Sequence, residues 1–460
     1  MKKWKIALLS ACWLSAALCL EARSKRAADP EAVVPIRWEK LDLRPLQDEL
    51  AREVRQIMLN ANKYALNKWY GPVKGYGAQT DRCIDFGGIG EHSIRPSANE
   101  AFALAVSLKF RIYDAAWTGV SEREAVSRTL RLIGSLAARH KANAGGGGWG
   151  YEWQSAFWAA QAATAAWMMW NELEPAERET VRRMTVAEAD RLIDYRVPYY
   201  MDPEGHVVFK GDSKAEENAW NSQIMAIATA MMPRHPHWQA WYDKGVELQL
   251  SAFARPSDRM SRKTINGMRL DTTLRGSNVD EYGIVINHHI LHPDYMTTVL
   301  HNATNAWIYA LAGQKMPRAS LFNGGLVYRT MAEHPVGDGR TMYVRGDRGE
   351  ATSRMYYPEG NDWGGQRQGC FLAMDVMAMV FGWDRGMSPS ARDWALARTR
   401  EMLRMQARDT TGQYYQRKEE DLYPAREEWI AYHIGYCYLG LWMKEHPISR
   451  FTDKRMRPRR

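Results

Sequence analysis

Cysteine is scarce, and no framework is built from it. Of five cysteines in the 460 residues, Cys12 and Cys19 fall in an N-terminal apolar run, leaving Cys83, Cys370 and Cys437. Three widely spaced thiols exclude a disulfide-rich scaffold and a zinc finger, and read as buried thiols with room for one disulfide. Long apolar runs are missing too. Ile6–Leu20 is too short to span a bilayer, and no later stretch reaches the roughly 18 uncharged apolar residues of a spanning helix. No membrane span is therefore expected. The glycine run Gly145–Gly148 is not followed by Gly-Lys-Ser/Thr, which excludes a phosphate loop. Strand signals are few and short, at His206–Phe209 and Thr341–Arg345. Phenylalanine is also sparse, with 10 Phe against 19 Trp. An indole offers a broad flat face and one N–H donor, more than core filling requires.

What is present begins with Lys2, Lys3 and Lys5, then Ile6–Leu20, then the small residue Ala22. This order predicts a secretory signal peptide over residues 1–22 and a secreted or periplasmic protein. Leu9-Ser10-Ala11-Cys12 has the form of a lipoprotein box, but with a very short apolar run before it; lipid anchoring is the alternative. Residues 23–45 read as an N-terminal extension. The net charge is +9 and the pI about 9.2, and the chain stays basic once the signal is removed. A basic balance favours an anionic partner. Nucleic acid is set aside, because the aromatics do not interleave with Lys and Arg in a recognisable module. The Lys454–Arg460 tail reads as a solvated end.

Period-3.6 patterning predicts twelve helices, over 46–68, 97–118, 122–141, 152–172, 176–194, 215–232, 236–255, 292–313, 317–334, 365–382, 388–407 and 426–445. The class is all-α. The fifth and eleventh carry strongly charged faces, whereas the fourth, tenth and most of the twelfth are apolar all round and must be buried on every side. Links from even to odd helices are short, as at Thr118-Gly119-Val120-Ser121, and join antiparallel neighbours. Links from odd to even helices are long. Six inner helices inside six outer ones, with the long loops on one face, describe an (α/α)6 toroid, and 46–460 reads as one domain. A faint repeat agrees: Trp149-Gly150 with Gln154 and Phe157 matches Trp363-Gly364 with Gln368 and Phe371.

Rigid scaffolds usually carry function in their loops. The long loops end at inner-helix N-termini, whose free N–H groups and positive dipole ends suit an anionic ligand. Four clusters lie there. Trp149, Tyr151 and Trp153 follow the glycine run as candidate stacking faces for sugar rings. Glu217, Asn218 and Asn221 sit near a helix start, where carboxylate and amides could hold sugar hydroxyls, though first-turn acidity and capping explain such residues equally well. Asn287-His288-His289-Ile290-Leu291-His292-Pro293-Asp294-Tyr295 is the richest, with three of the chain's 12 histidines. Histidine exchanges protons near neutral pH, and tyrosine does so when its pKa is lowered. His288 and His292 lack a third ligand nearby, so no metal and no cofactor are expected. The fourth cluster holds Arg354, Tyr357, Glu359, Asp362 and Trp363. Arg354 could grip a carboxylate, and Glu359 and Asp362 could serve as acid and base.

A Trp-rich helical toroid with Asn287-His288 in a basin loop resembles the (α/α)6 polysaccharide lyases, the heparinase II/III-like and alginate lyase-like enzymes. That resemblance covers the helical layout and this one dipeptide. It implies cleavage of an acidic oligo- or polysaccharide by β-elimination, with Asn287 neutralising the uronate carboxylate, His288 as base and Tyr295 or Tyr357 as acid. His289 and His292 are further candidates for proton transfer, and Arg354 for neutralisation. The departure is the β-sandwich that many of these lyases carry after the toroid, for which the sequence to Arg460 leaves no room. Two alternatives stand: an (α/α)6 glycoside hydrolase using a pair such as Glu217 and Asp362, and a non-catalytic glycan-binding protein.

Overall fold

The computed structural model describes residues 29–421, 426–446 and 451–452; the expected signal peptide lies outside them. Among the described residues are twelve helices of ten residues or more, as periodicity predicts. They are α1 (Glu49–Tyr64), α2 (Glu91–Lys109), α3 (Glu122–Ala138), α4 (Ser155–Met168), α5 (Pro175–Asp190), α6 (Ala215–Met231), α7 (Trp238–Ala252), α8 (Leu300–Leu311), α9 (Gly324–Glu333), α10 (Gln368–Phe381), α11 (Ala391–Gln406) and α12 (Arg426–Glu445). Burial alternates along this series. Every residue of α4 and α8 is buried, whereas α5 buries only Val181, Met184, Thr185, Glu188 and Ala189. The even helices pack on one another in sequence, α2 on α4, α4 on α6, α6 on α8, α8 on α10, α10 on α12, and α12 on α2.

The helix starts follow this alternation in part, since the outer helices α7 and α9 also lack a side-chain cap. Outer helices α1, α3 and α11 begin on Asp48, Ser121 and Ser390, whose side chains accept first-turn N–H bonds. Inner helices α2, α4, α6, α8 and α10 have no side-chain cap. At the opposite end the N-terminal extension joins the same core. Val34 N–H donates to the Met231 carbonyl, and the Trp167 and Trp442 indoles donate to the Val34 and Asp42 carbonyls.

Inner helices approach closely where they carry glycine. A Cβ at Gly435 on α12 would lie 2.8 Å from the Phe102 ring, and one at Gly440 would lie 2.9 Å from Val376. Overpacking costs about 1–3 kcal/mol, against a helix-propensity gain of about 1 kcal/mol. Gly435→Ala is therefore expected to lower the denaturant midpoint, without changing the slope of the transition.

Several boundaries depart from expectation. α2 begins six residues early and ends at Lys109, because Arg111 takes a left-handed φ of 58° and Asp114 caps a separate turn. The predicted eighth helix is a turn at Pro293–Met296, a 3-10 turn and then α8. His206–Phe209 and Thr341–Arg345 form no strand, only isolated bridges at Val207 and Tyr343. The described strands are β1 (Thr264–Ile265), β2 (Met268–Arg269), β3 (Ile286–Asn287), β4 (Ile290–Leu291), β5 (Met316–Pro317) and β6 (Phe451–Thr452), paired β1–β2 and β3–β4 antiparallel and β5–β6 parallel. The faint repeat is architectural. Trp149 and Trp363 are both buried. Gly150 and Gly364 both take positive φ, where a Cβ would strike the His140 ring or the Glu420 carbonyl. Gln154 and Gln368 each accept a hydrogen bond from a buried arginine, Arg95 and Arg398.

A candidate active site at the β3–β4 hairpin

The register Ile286↔Leu291 and Asn287↔Ile290 leaves His288 and His289 as a two-residue loop. Their φ values are 50° and 67°, the positive φ at both positions that a type I′ turn needs and that Asn-Gly usually supplies. Left-handed backbone at a bulky residue costs roughly 1–3 kcal/mol and persists only where surroundings enforce it. Here Asn287 Oδ1 accepts the His288 N–H (2.8 Å), the His289 N–H donates to the Gly211 carbonyl (3.0 Å), and Glu359 Oε2 accepts the Leu291 N–H (2.7 Å). Strain held this firmly, on two histidines, points to function rather than to folding.

The turn forms one wall of a cavity of about 580 Å³. Asn287, His288, His289 and Tyr295 face the α6 start, which contributes Lys214, Glu216, Glu217 and Trp220; Trp153 closes one side against Trp220. His288 connects both directions. Its Nε2 lies 3.1 Å from the Tyr295 hydroxyl, and its Nδ1 lies 2.6 Å from Asp362 Oδ2. His292 Nε2 lies 3.1 Å from the other Asp362 oxygen. Trp363 packs against Tyr295 and both imidazoles.

Behind this row sits a buried ionic network. Arg367 donates to Asp294 (2.8 Å) and Asp421 (3.1 Å), and its guanidinium stacks on Trp363 and Trp429. Burial disfavours the Arg367 charge, but Asp421 and Asp294 overcome this and raise its pKa. Burial also works against the Asp362 carboxylate, yet His288 and then His292 hold it below the usual range. His292 is pushed below an ordinary imidazole by burial, against the pull of Asp294 and Asp362.

Glu216 is the outlier on the opposite wall. It lines both the main cavity and a narrower one beneath it, and burial, outweighing the pull of Arg95, pushes its carboxyl up to about 8. The folded state therefore holds this proton more tightly than the unfolded chain, so stability falls as pH rises from the unfolded value near 4.5 through 8. Glu216→Gln should flatten that part of the curve, read from denaturant midpoints across this range. Among the described residues on the cavity wall, Lys214 is the permanent cation, facing Asp212, Glu216 and Glu217. The wall is less basic than helix N-termini and net charge imply.

The structure brings together Trp153, Glu217, Asn287, His288, His289, His292, Tyr295, Asp362 and Trp363. It corrects seven other placements. Trp149 is buried, with its N–H held by the Leu136 carbonyl, and offers no stacking face. Asn218 and Asn221 are buried within α6, Asn218 donating to the Pro198 carbonyl. Arg354 is exposed and donates to the Arg345 carbonyl. Tyr357 lies off the cavity, and burial, reinforced by Asp294, pushes its hydroxyl far above its ordinary pKa. Tyr151 is half exposed under Lys141, and Glu359 serves as a latch on β4. Glu217 is engaged too, accepting from the Tyr195 hydroxyl beside Lys214. Sequence reasoning missed Glu216, Lys214, Trp220, Asp294 and Arg367 as site residues. One signal was available: Arg367 places a cation at the start of an apolar helix, against the helix dipole, which calls for buried carboxylates. Comparison of this chain with protein-family models, curated proteins and solved structures found no match.

Proposed function

We propose that this protein is a secreted polysaccharide lyase that cleaves a uronate-containing glycan by β-elimination, on an (α/α)6 toroid formed by its twelve helices. The closed succession of inner-helix packing supports the toroid. The observation that carries the activity is the Tyr295–His288–Asp362 chain, whose first two members line the cavity. Asp362 accepts from His288 Nδ1–H and leaves Nε2 free to take the Tyr295 proton. The tyrosinate then removes the proton at C5 of the uronate. The C4–O4 bond breaks as the C4=C5 double bond forms, and the Tyr295–His288 pair returns one proton to O4. C5–H is acidic enough only if the carboxylate charge is neutralised, a part that suits Asn287, Lys214 and the uncapped start of α6.

A second reading has its own observation. Glu216, its carboxyl pushed up to about 8, faces the cavity, and the lowered Asp362 carboxylate sits behind the opposite wall on His288; carboxyls pushed apart in pKa are the acid and base of a glycoside hydrolase. Incubation with a panel of uronate polysaccharides separates the two. The lyase reading expects ultraviolet absorbance from an unsaturated uronate. New reducing ends without that absorbance would replace it with the hydrolase.

A further inference from the structure

We infer that His288, His292 and Asp362 form a binding site for a divalent transition-metal ion of the zinc class. Neither histidine has a third ligand within its own segment; the fold supplies it from 70 residues away. One ring nitrogen each of His288 and His292 and an Asp362 oxygen lie within 4.8 Å of one another, and Asp362 already contacts His288 Nδ1 and His292 Nε2. Tetrahedral zinc with bonds of about 2.0–2.1 Å sets its ligands roughly 3.3 Å apart, so small side-chain rotations suffice. Two imidazoles and one carboxylate form the donor set of zinc sites that keep a fourth position open.

The surroundings carry a second, independent mark. His292 is fully buried, its Nε2 faces the site, and its Nδ1 has no hydrogen bond but lies 3.8 Å from Asp294. Asp294 is in turn fixed by Arg367. A carboxylate behind a ligating histidine is the arrangement that sets its tautomer and strengthens it as a ligand. On the other side, His288 is held in its left-handed turn; with Nδ1 on the ion the ring proton sits on Nε2 and is donated to the Tyr295 oxygen, so the ion-bound form steadies a tyrosinate instead of accepting the Tyr295 proton. His288 lines the main cavity, whose wall offers three carboxyls against Lys214. A bound cation would complete that wall for an anionic sugar. Resting on the lyase reading, this makes the ion the partner of the uronate carboxylate; the metal site itself does not depend on that reading.

The test is Zn²⁺ titration of the chelator-dialysed full-length protein by calorimetry, with Co²⁺ followed by visible absorption. One equivalent is expected, with a four-coordinate cobalt spectrum. Asp362→Asn, at a side chain half exposed to solvent, should keep the fold and weaken binding by roughly 10–100-fold or more. His292→Ala should do the same, with circular dichroism checking the fold. Absence of a stoichiometric ion, or binding unchanged in Asp362→Asn, overturns the inference. Saturable binding lost in Asp362→Asn, with no unsaturated product from any polymer, supports the metal site and removes the lyase reading. Lyase activity in protein that binds no Zn²⁺ does the reverse.

Discussion

Tyr295→Phe is expected to lower turnover by roughly 10²–10⁴-fold, the range for losing a general acid or base, while leaving the thermal midpoint within a few degrees of wild type. The change deletes one oxygen from a ring packed against Trp363 and His292, so the packing survives. His288→Ala should lose a similar factor, because it removes the acceptor at 3.1 Å and the link to Asp362 together. His289→Ala is expected to lose far less, since the structure gives His289 a place on the wall but no bond to Tyr295. Steady-state kinetics of the three variants on whichever polymer is cleaved, beside their melting curves, decide the matter. Near-normal turnover in both Tyr295→Phe and His288→Ala, with activity abolished by Glu216→Gln and Asp362→Asn, would transfer the chemistry to the carboxyl pair.

Arg367→Ala should be the most destabilising single change near the site. It leaves Asp294 and Asp421 as buried carboxylates without their shared cation and strips the stacking surface from Trp363 and Trp429. Breaking a buried pair by removing one partner costs about 3–5 kcal/mol, and here one cation serves two partners. Unfolding followed by tryptophan fluorescence should show the loss. Arg367→Lys should recover part of the charge but not the two-sided bonding or the stacking, because an ammonium is not a planar fork. A loss below about 1 kcal/mol in Arg367→Ala would mean that the two carboxyls take up protons at little cost.

The residues behind these two effects differ in how far they can be read from the sequence. Tyr295 and His288 lie within eight residues, and the concentration of titratable side chains there marks them by composition alone. The alternation of buried and half-buried helices is legible for the same local reason. A helix surrounded on all sides must be apolar on all sides, so α4 and α10 declare their burial in composition. The caps at Asp48, Ser121 and Ser390 are local too. Tertiary structure alone decided the rest. Asp362 meets His288 and His292 only because the loop before α10 folds across to the β3–β4 hairpin, and no period or spacing encodes a contact over that separation. Trp149 and Trp153 lie four residues apart in a loop without helical period, and only packing turned one into the core and the other onto the cavity. Tyr357 and Tyr295 are equivalent candidates in sequence, and packing separates them by placing Tyr295 on the cavity wall within reach of His288 and Tyr357 off it. Local interactions repeat with the geometry of the backbone and so can be read residue by residue. The site is made of long-range contacts, which exist only once the helices have packed.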